Sequence, residues 1–396
     1  MGWKPACFEH FKRKKETRLK LLFWISVAAI LYAYIGYPVA VWAMARLFAR
    51  TVSKAPITPK VSVVVACHNE APVIEARIEN LLRSDYPPEL LEIIIVSDGS
   101  TDETENLARR FASDRVQVIA CPERRGKPAA LNLGVAQSSG EIIVFADARQ
   151  RFETDAVKNL ASNFNDREVG VVSGELVLTA DSSVGEGVGL YWKYEKWIRK
   201  NESLSGSVIG ATGAIYSIRR KLWKPLPNET LLDDVYTPMQ IAIKGWRVVF
   251  EERARAFDQA NSSAGREFRR KARTLTGNYQ LCQLMPRVLL PTSRLLFQFH
   301  SHKLMRLAAP IFFVLLFVSN LLIASRAAGV AEAIFYQSSL AVQLAFYATI
   351  PLSRWFAKRN RRVRLLNAAY VFSVMNAAAI VGLFYFLRGK RNVWVK

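Results

Sequence analysis

Carboxylates follow three short apolar stretches that have the composition of buried β-strands. These carboxylates, each with the stretch before it, are Glu70 (61–65), Asp98 (92–96) and Asp147 (141–146). Because the carboxyl ends of parallel strands meet at one edge of a sheet, we expect the three side chains to surround a shared ligand. Each one alone also has a structural interpretation, since Asp98 precedes Gly99 and is able to shape a turn. Their repetition at successive strand ends favours a binding site.

The elements that must position these carboxylates alternate along the chain. Strands are predicted at 61–65, 92–96, 116–119 and 141–146, and helices at 71–82, 101–111, 127–137 and 235–244. Strands that alternate with helices indicate a parallel sheet that is covered on both faces. The sequence therefore predicts an α/β domain between about residues 55 and 285.

The composition excludes several classes of protein. Hydrophobic residues make up 51% of the chain and charged residues 22%, which excludes a disordered or collagen-like chain. The four cysteines are widely spaced, which argues against a disulfide scaffold and a zinc ribbon. The net charge of +22 indicates an anionic partner such as an acidic membrane or a phosphorylated substrate. The basic clusters flank the long apolar segments described in the next paragraph and do not lie along one soluble face. We therefore expect no nucleic-acid partner.

Four uncharged apolar segments are long enough to cross a membrane, at 21–45, 307–325, 333–353 and 365–387. A helix of about 20 residues spans the roughly 30 Å of hydrocarbon in a bilayer. The predicted divisions are a basic tail (1–20), a transmembrane segment (21–48), the α/β domain (55–285), an amphipathic interfacial helix (286–306), three transmembrane helices (307–387) and a basic tail (388–396). For residues 286–306, the alternative interpretation is an ordinary surface helix of the α/β domain.

Basic residues predict the orientation in the membrane. The loop 354–364 carries six of them and is separated from the α/β domain by two spans, so the two lie on the same side. The positive-inside rule makes that side cytoplasmic, which predicts a multi-pass protein of the inner (plasma) membrane. The N-terminal tail is also basic, and one straight span cannot place both inside. Gly36 and Pro38 leave open a re-entrant hairpin.

Six segments, taken in order, carry a family resemblance: VSVVVACHNEAPV, IIIVSDGSTDET, RGKPAALNLG, IIVFADA, GATGAIYSIRR and LLDDVYTPMQIAIKGWRV. They resemble the inverting family 2 glycosyltransferases, in particular the membrane-embedded branch that makes bacterial extracellular polysaccharides and relatives of chitin and hyaluronan. The resemblance covers roughly residues 55–290. It implies a GT-A (Rossmann-like) nucleotide-sugar-binding domain with flanking transmembrane helices.

The resemblance also implies a donor site. Glu70 and Asp98 would hold the nucleotide, because carboxylates accept hydrogen bonds from base N–H groups and ribose hydroxyls. Lys127 would lie near the phosphates, although an exposed lysine at a helix start is the alternative. Asp147 falls where the family's metal-binding Asp-x-Asp begins and would hold Mg²⁺ or Mn²⁺. The third position of this Asp-x-Asp motif is Arg149 instead of Asp. Either Asp147 alone would coordinate the metal, or Arg149 would itself supply part of the positive charge.

Asp233 and Asp234 resemble the family's Thr/Glu-Asp pair at the start of a helix under the acceptor site. Inverting transfer is a single displacement, so a base must take the proton of the acceptor hydroxyl. Asp234 would be that base, supported by Asp233, whose charge favours proton uptake. The alternative is that both residues only cap the helix. Gly213 would let an acceptor sugar approach the backbone. Aromatic residues shortly before it would either stack on the acceptor or form an interfacial or core patch; they are Tyr191, Trp192, Tyr194 and Trp197.

Residues 269–274 stand where the family's polysaccharide synthases carry Gln-x-x-Arg-Trp. Arg270 falls at the Gln, Arg273 at the Arg and Thr274 at the Trp. The two arginines would clamp the departing diphosphate; a patch for lipid headgroups is the alternative. The missing Trp argues against long-chain processive synthesis.

Together these features predict a membrane-bound inverting glycosyltransferase. It would transfer a sugar from a nucleotide-sugar donor, a UDP-sugar in preference to a GDP-sugar, to a growing polysaccharide or oligosaccharide, with a divalent cation as cofactor. Two alternatives stay open: transfer of one sugar to a lipid-linked acceptor, and a non-catalytic membrane protein that binds nucleotide sugar. The presence of Asp98, Asp147 and Asp234 favours an enzyme.

Overall fold

A computed structural model of the chain describes residues 4–179, 184–259, 264–326, 329–359 and 363–389. Residues 1–3 and 390–396 of the two predicted basic tails, and Arg361 and Arg362 of the basic loop, lie outside this part of the chain. Within it, a central α/β domain connects to long apolar helices on both sides.

The described residues form one mixed sheet of eight strands. The strands are β1 (Val61–Cys67), β2 (Leu91–Asp98), β3 (Val116–Cys121), β4 (Ile142–Ala146), β5 (Arg151–Phe152), β6 (Val169–Thr179), β7 (Ile215–Arg219) and β8 (Arg247–Gln259). Their order is β3-β2-β1-β4-β7-β6-β8-β5. Strands β1 to β4 are parallel, as predicted. Strand β7 runs antiparallel to both β4 and β6.

Thirteen α-helical segments lie in the described ranges. They are α1 (Lys4–Leu31), α2 (Tyr37–Leu47), α3 (Ala71–Leu82), α4 (Thr104–Arg109), α5 (Lys127–Gln137), α6 (Ala156–Ser162), α7 (Val184–Ser205), α8 (Asp233–Ile243), α9 (Ala264–Leu284), the single turn α10 (Leu296–Gln298), α11 (Met305–Ala324), α12 (Val330–Lys358) and α13 (Arg364–Leu387). Helices α3 and α5 begin and end at the predicted residues. Helix α4 starts later than predicted because the Asp102 side chain accepts a hydrogen bond from the Thr104 N–H group (3.0 Å) and holds a turn before it.

The two faces of the sheet bury separate apolar clusters. Val63 and Val65 of β1 pack with Ile74 of α3 on one face, whereas Val64 packs with Leu131 of α5 on the other. Successive side chains of a strand point to opposite faces, so burial on both sides requires the continuous apolar runs seen in the sequence. These two apolar clusters hold the strands in place, so the strand ends that carry the carboxylates form a rigid edge of the sheet.

Within the described ranges, four helical segments are long and apolar enough to cross a membrane: Arg13–Leu47, Leu296–Ala324, Val330–Phe356 and Leu366–Leu387. They cover the four predicted spans. Apolar side chains on their surfaces are exposed, for example Trp24, Ile311 and Val342. Lipid would cover these side chains in a bilayer.

The first of these segments is a continuous helical rod. Helix α1 passes through a π-helical turn at Tyr32–Gly36 into α2, with helical backbone angles at both junctions. Within the N-terminal half of the rod, Lys20 forms an ion pair with Glu332 at the start of α12. Because α11 separates Glu332 from the α/β domain, this end of the rod lies away from the domain. The hairpin that Gly36 and Pro38 left open is not formed.

Residues 286–306 do not form the single amphipathic helix that the sequence predicts. They form a 3-10 turn at Pro286–Leu289, the turn α10, and a π-helical turn at Phe299–Leu304 that leads directly into α11. Proline lacks a backbone N–H group, and Pro286 and Pro291 therefore interrupt the helical pattern. The amphipathic helix at this boundary is α9, which packs against α13: the Thr276 hydroxyl donates to the Gly382 carbonyl (3.3 Å).

Candidate active site

A cleft of about 460 Å³ opens at the carboxyl ends of β1, β2 and β4. The residues that line it are Ala66, Cys67, His68, Asn69, Glu70, Asp98, Arg124, Gly126, Lys127, Asp147, Ala148, Arg149, Gln150 and Arg273. The carboxylates that follow the three strands therefore share one cleft. Two predicted cations, Lys127 and Arg273, lie there with them.

Asp98 holds the loop that forms one wall of the cleft. Its carboxylate oxygens accept hydrogen bonds from the backbone N–H groups of Arg125 (2.7 Å) and Gly126 (2.8 Å), and only 4% of the residue is exposed. The next residue, Gly99, has a φ of +59°, and a Cβ there would lie 2.3 Å from the Arg124 nitrogen, so only glycine fits. Asp98 thus has the turn-shaping role that the sequence left open, and its contact with a nucleotide stays a prediction.

Lys127 is the centre of an acidic cluster. Its ammonium group lies 2.8 Å from Asp147 Oδ1 and 3.6 Å from Asp233 Oδ2. Burial alone would lower the pKa of Lys127, but the charges of Asp147 and Asp233 outweigh it and raise the pKa. The lysine side chain is only 24% exposed. The alternative of a solvent-exposed lysine at a helix start therefore does not describe it.

Glu70 and Arg149 form an ion pair within the cleft. Both carboxylate oxygens accept from Arg149 Nε (3.1 and 3.0 Å), and Nη2 lies 3.0 Å from Oε1. The sequence did not predict this pair, although Arg149 stands out as the departure from Asp-x-Asp. The arginine side chain is 68% exposed, and such pairs contribute no more than about 1 kcal/mol. A ligand that binds Glu70 must share or displace Arg149, at a small cost.

Asp233 and Asp234 begin α8 beside this cluster. The Gly213 N–H group donates to Asp234 Oδ2 (3.0 Å). Burial, and then the charge of Asp233, raise the pKa of Asp234 to about 6, although Lys127 and Lys303 act in the opposite direction. A carboxylate with that pKa is mostly ionised at neutral pH and is a stronger base than an ordinary aspartate. Among the described residues, neither side chain bonds to a free N–H group of α8, so capping does not explain the pair.

Asp147 suits a cation that is shared with a phosphate ligand. Within the described parts of the chain, no group of three or more His, Cys, Asp and Glu side chains is placed to hold a metal. Asp147 bonds to Lys127 through one oxygen, and its side chain is 38% exposed. Mg²⁺ and Mn²⁺ need only one or two protein carboxylates when phosphates and water complete their coordination. The donor set therefore fits a cation that arrives with a diphosphate.

Helix α9 places its two predicted arginines differently. Arg273 lines the cleft, whereas Arg270, one turn earlier, is not among the described residues that do so. The Thr274 hydroxyl donates to the Arg270 carbonyl (3.1 Å) inside the helix. Arg273 thus lies at the cleft, and the contact of either arginine with a donor diphosphate stays a prediction.

The aromatic residues of α7 divide between two environments. The Tyr194 hydroxyl donates to the Tyr34 carbonyl in the first membrane segment (2.7 Å), and the Arg306 guanidinium lies 5.4 Å from its ring centre. Trp192 instead lines a second cavity together with Thr212 of the 210–213 loop. Tyr194 thus has the interfacial role that the sequence left open. Trp192 lies near the 210–213 loop, where the sequence predicts acceptor binding.

A buried ionic cluster joins α7 to the second membrane segment, and the sequence did not predict it. Glu195 pairs with Arg306, and the His302 ring contacts both Glu195 (3.3 Å) and Glu202 (2.7 Å). The Tyr37 hydroxyl donates to Glu202. We refer to these five residues as the junction cluster. The only sequence signal was the spacing of Glu195 and Glu202, which places them on one face of a helix.

Comparison with known proteins relates this site to a family. Residues 62–225 match the family described as "Glycosyl transferase family 2". The chain is 25% identical over 228 residues to the poly-beta-1,6-N-acetyl-D-glucosamine synthase of Staphylococcus aureus (strain COL), covering 56% of this chain and 55% of that protein. It is 28% identical over 232 residues to the probable glycosyltransferase YdaM of Bacillus subtilis (strain 168), with the same coverage. The chain spans about half the length of these curated relatives.

A solved structure shares the fold over most of the chain. The mannosyltransferase PcManGT from Pyrobaculum calidifontis, in complex with GDP-Man and Mn²⁺, superposes with a TM-score of 0.71 at 23% identity, covering 93% of this chain and 99% of that one. The predicted fold, a GT-A domain flanked by apolar helices, is confirmed. The central domain is thus a glycosyltransferase domain. Residues 62–225 match the family 2 glycosyltransferases, the family that the ordered motifs indicated.

Proposed function

We propose that the protein is a membrane-bound inverting glycosyltransferase that moves a sugar from a nucleotide-sugar donor to an acceptor hydroxyl. The observation that carries this proposal is the environment of Asp234. Its carboxylate has a raised pKa, is oriented by the Gly213 N–H group, and stands beside the cluster in which Lys127 joins Asp147 to Asp233. An intact base next to a cationic donor cleft favours an enzyme over a protein that only binds nucleotide sugar.

The proposed reaction is a single displacement. The acceptor oxygen attacks the anomeric carbon while the bond from that carbon to the diphosphate oxygen breaks, and the acceptor proton passes to Asp234. The nucleoside diphosphate leaves with the electron pair. Lys127 and Arg273, the two predicted cations of the cleft, stabilise the negative charge that develops on it. Asp233 keeps the proton affinity of Asp234 high enough for the transfer.

A divalent cation, Mg²⁺ or Mn²⁺, would be held by Asp147 together with the donor diphosphate. When bound, it supplies positive charge that neutralises the leaving group. Lys127 donates to Asp147 Oδ1 (2.8 Å) and fixes that carboxylate beside the proposed cation position. The Mn²⁺ in the PcManGT complex supports a divalent cation as cofactor.

The family resemblance and the charge pattern support our proposals for the donor, the acceptor and the location. We propose a UDP-sugar as donor, with Glu70 and Asp98 on the nucleotide side; the GDP-Man of PcManGT makes GDP-sugars the alternative to include. The name of the Staphylococcus relative supports a growing polysaccharide or oligosaccharide as acceptor. The four apolar segments support a multi-pass protein of the inner (plasma) membrane that contacts membrane lipids. The basic loop supports a cytoplasmic location for the α/β domain.

A release assay tests the proposal. Purified protein in detergent is supplied with radiolabelled UDP- and GDP-sugars, Mg²⁺ or Mn²⁺, and total membrane lipids as a source of acceptors. We expect release of nucleoside diphosphate and a slowing of about 10²- to 10⁴-fold in Asp234→Asn, with donor binding retained. The matched control is Asp85→Asn, which removes a surface carboxylate paired with Lys158 (2.9 Å).

The outcomes separate the hypotheses. Release by Asp234→Asn at the rate of the unaltered protein would remove Asp234 as the base. Donor binding with no release from any nucleotide sugar would favour the non-catalytic alternative.

A further inference from the structure

The cleft at the ends of β1, β2 and β4 brings several charges of both signs together. Asp98 accepts from two backbone N–H groups, and Lys127 is shared between Asp147 and Asp233. The ion pair of Glu70 and Arg149 differs from these contacts, because one of its partners is mostly exposed. Among the described residues, the charged side chains that line the cleft are Arg124, Lys127, Arg149 and Arg273, with the carboxylates Glu70, Asp98 and Asp147.

Glu70 is the fixed partner of this pair. Its N–H group donates to the Thr104 hydroxyl (2.8 Å), and the next N–H group, of Ala71, donates to Asp102 Oδ2 (3.3 Å). The Glu70 side chain makes no capping hydrogen bond to α3, and it is 19% exposed. Its carboxylate lines the cleft, where Arg149 is the described group that hydrogen-bonds to it.

Arg149 is the exposed partner, and its backbone is fixed on both sides. Ala148 is 6% exposed and Gln150 is 8% exposed. The Gln150 side chain also donates to Asp258 of β8 (2.9 Å). The Arg149 side chain itself is 68% exposed. Its guanidinium group is therefore able to turn within the cleft without any change in the backbone.

Arg149 stands where the Asp-x-Asp pattern has its second carboxylate. Its Cα atom lies at most about 7.6 Å from that of Asp147, since consecutive Cα atoms are about 3.8 Å apart. A second carboxylate would add a ligand for the metal, whereas a guanidinium group binds a phosphate directly through two parallel N–H···O bonds. The residue at this position therefore changes how the cleft neutralises a diphosphate.

The chemistry of the pair favours a ligand that replaces both of its halves. A nucleoside offers hydroxyl and base N–H donors to Glu70 but leaves Arg149 without an anion. Pyrophosphate binds Arg149 but leaves the Glu70 carboxylate without its partner, and an unpaired polar group costs free energy. A nucleoside diphosphate supplies donors for Glu70 and anionic oxygens for Arg149. Both charges then have a partner again.

We infer that Arg149 is a donor-binding residue that exchanges Glu70 for the donor diphosphate when the donor binds. The inference rests on the proposed function and names a specificity-determining residue of its donor site. Without a donor, the two side chains mask each other. A ligand with both a nucleoside and a diphosphate replaces both contacts, and no covalent bond changes in this exchange.

Equilibrium titrations on the full chain in detergent test the exchange without turnover. Uridine, UDP and pyrophosphate are titrated in EDTA, which removes divalent cations, and guanosine and GDP form a second set. Arg149→Gln should raise the Kd of UDP at least about tenfold, equivalent to about 1.4 kcal/mol. The same variant should leave the Kd of uridine unchanged or lower it by up to about fivefold, because an exposed ion pair competes only weakly with a ligand.

Glu70→Gln should give the reciprocal pattern. Its loss of the carboxylate weakens uridine binding, whereas pyrophosphate should bind up to about fivefold more tightly because Arg149 is no longer masked. Arg149→Lys keeps the charge but loses the planar fork, so its Kd for UDP should lie between those of the unaltered protein and Arg149→Gln. A pair with only a structural role would not produce opposite changes for the two half-ligands.

The matched control is Arg151→Gln. Arg151 lies two residues further on, in β5, is exposed, and has its guanidinium carbon 5.4 Å from the Phe257 ring centre. It is not among the described residues that line the cleft, so the same loss of charge there should leave the Kd values unchanged. An unchanged Kd of UDP in Arg149→Gln would overturn the inference. An equal loss of uridine and UDP affinity in that variant would make Arg149 a structural support of Glu70 and would also overturn it.

The release assay keeps the two proposals apart. A protein that releases nucleoside diphosphate in an Asp234-dependent way, but whose UDP and GDP affinities do not depend on Arg149, would retain the proposed function and lose this inference. Donor binding without release would refute the proposed function whatever the Kd values of the Arg149 variants show.

Discussion

If Asp234 is the base that we propose, the acid limb of the pH profile should report the ionisation of its carboxyl group. The pKa of this carboxyl group is raised from 3.8 to about 6, and the base must be deprotonated to accept a proton. Roughly 90% of Asp234 is ionised at pH 7 and roughly 10% at pH 5 for a pKa of about 6. We therefore expect kcat/KM to fall about tenfold between these pH values. A base with the ordinary aspartate pKa would give an almost flat profile over this range.

Two substitutions should move that limb in opposite directions. Asp233→Asn removes the neighbouring negative charge that raises the pKa of Asp234, so the limb should shift to lower pH. Because burial is the larger cause of the raised pKa, we expect a shift of about one pH unit or less, equivalent to about 1.4 kcal/mol. Lys127→Met removes a cation that lowers the same pKa, so the limb should shift to higher pH. Its loss of diphosphate contact changes the height of the profile.

The assay measures initial rates of nucleoside diphosphate release at subsaturating substrate, between pH 4.5 and pH 8 at constant ionic strength. Asp85→Asn serves as the control and should keep the limb of the unaltered protein. Shifts in the same direction for Asp233→Asn and Lys127→Met, or no shift in either, would show that a different group titrates. The position of the limb decides the matter, because both substitutions also change the maximal rate.

Two further changes test the support of the site. Gly213→Ala should lower kcat at least tenfold, because the new Cβ would lie 3.0 Å from Asp234 Oδ2 and disturb the hydrogen bond from the residue 213 N–H group. The control is Gly265→Ala, where a Cβ meets no atom within 4 Å. Equal kcat values for the two variants would contradict the expectation. Asp147→Ala should raise the Mn²⁺ or Mg²⁺ concentration for half-maximal release more than tenfold, since the proposed ligand is lost; an unchanged metal titration would locate the cation elsewhere.

Local periodicity explains how much of the domain the sequence predicted. The strands before Glu70, Asp98 and Asp147 are apolar on both faces, and the runs that form α3 and α5 are rich in helix-forming residues, so each of these elements is specified by its own residues. The antiparallel insertion of β7 between β4 and β6 is different. It depends on contacts between residues more than 40 positions apart, and no local pattern encodes that pairing.

Side-chain partners were less accessible to sequence reasoning than strand ends. The carboxyl-end rule gathered Glu70, Asp98 and Asp147 in one cleft without any knowledge of distances. The same rule gave no sign that Arg149 would pair with Glu70 or that His302 would contact two glutamates of α7. These pairs form between elements that approach each other only after packing. The wrong prediction for residues 286–306 has a local cause instead, because two prolines outweigh the amphipathic spacing.

Helix α9 connects the proposed base to the membrane. On one face, Gly277 lies so close to Leu232 that an added Cβ would be 2.5 Å from its Cγ, and the Gln280 side chain accepts from the Leu231 N–H group (3.0 Å). On the other face, Tyr279 donates to the Ala379 carbonyl of α13 (3.4 Å).

Leu231 and Leu232 lead directly into Asp233 and Asp234, so the start of α8 is held by a helix that is itself held by a membrane segment. Lys303, whose charge opposes the rise in the pKa of Asp234, also comes from a membrane segment. We therefore expect that a change in the packing of α13 would displace the proposed base relative to the donor cleft formed by β1, β2 and β4. For this chain the apolar helices form part of the proposed catalytic geometry as well as the membrane attachment.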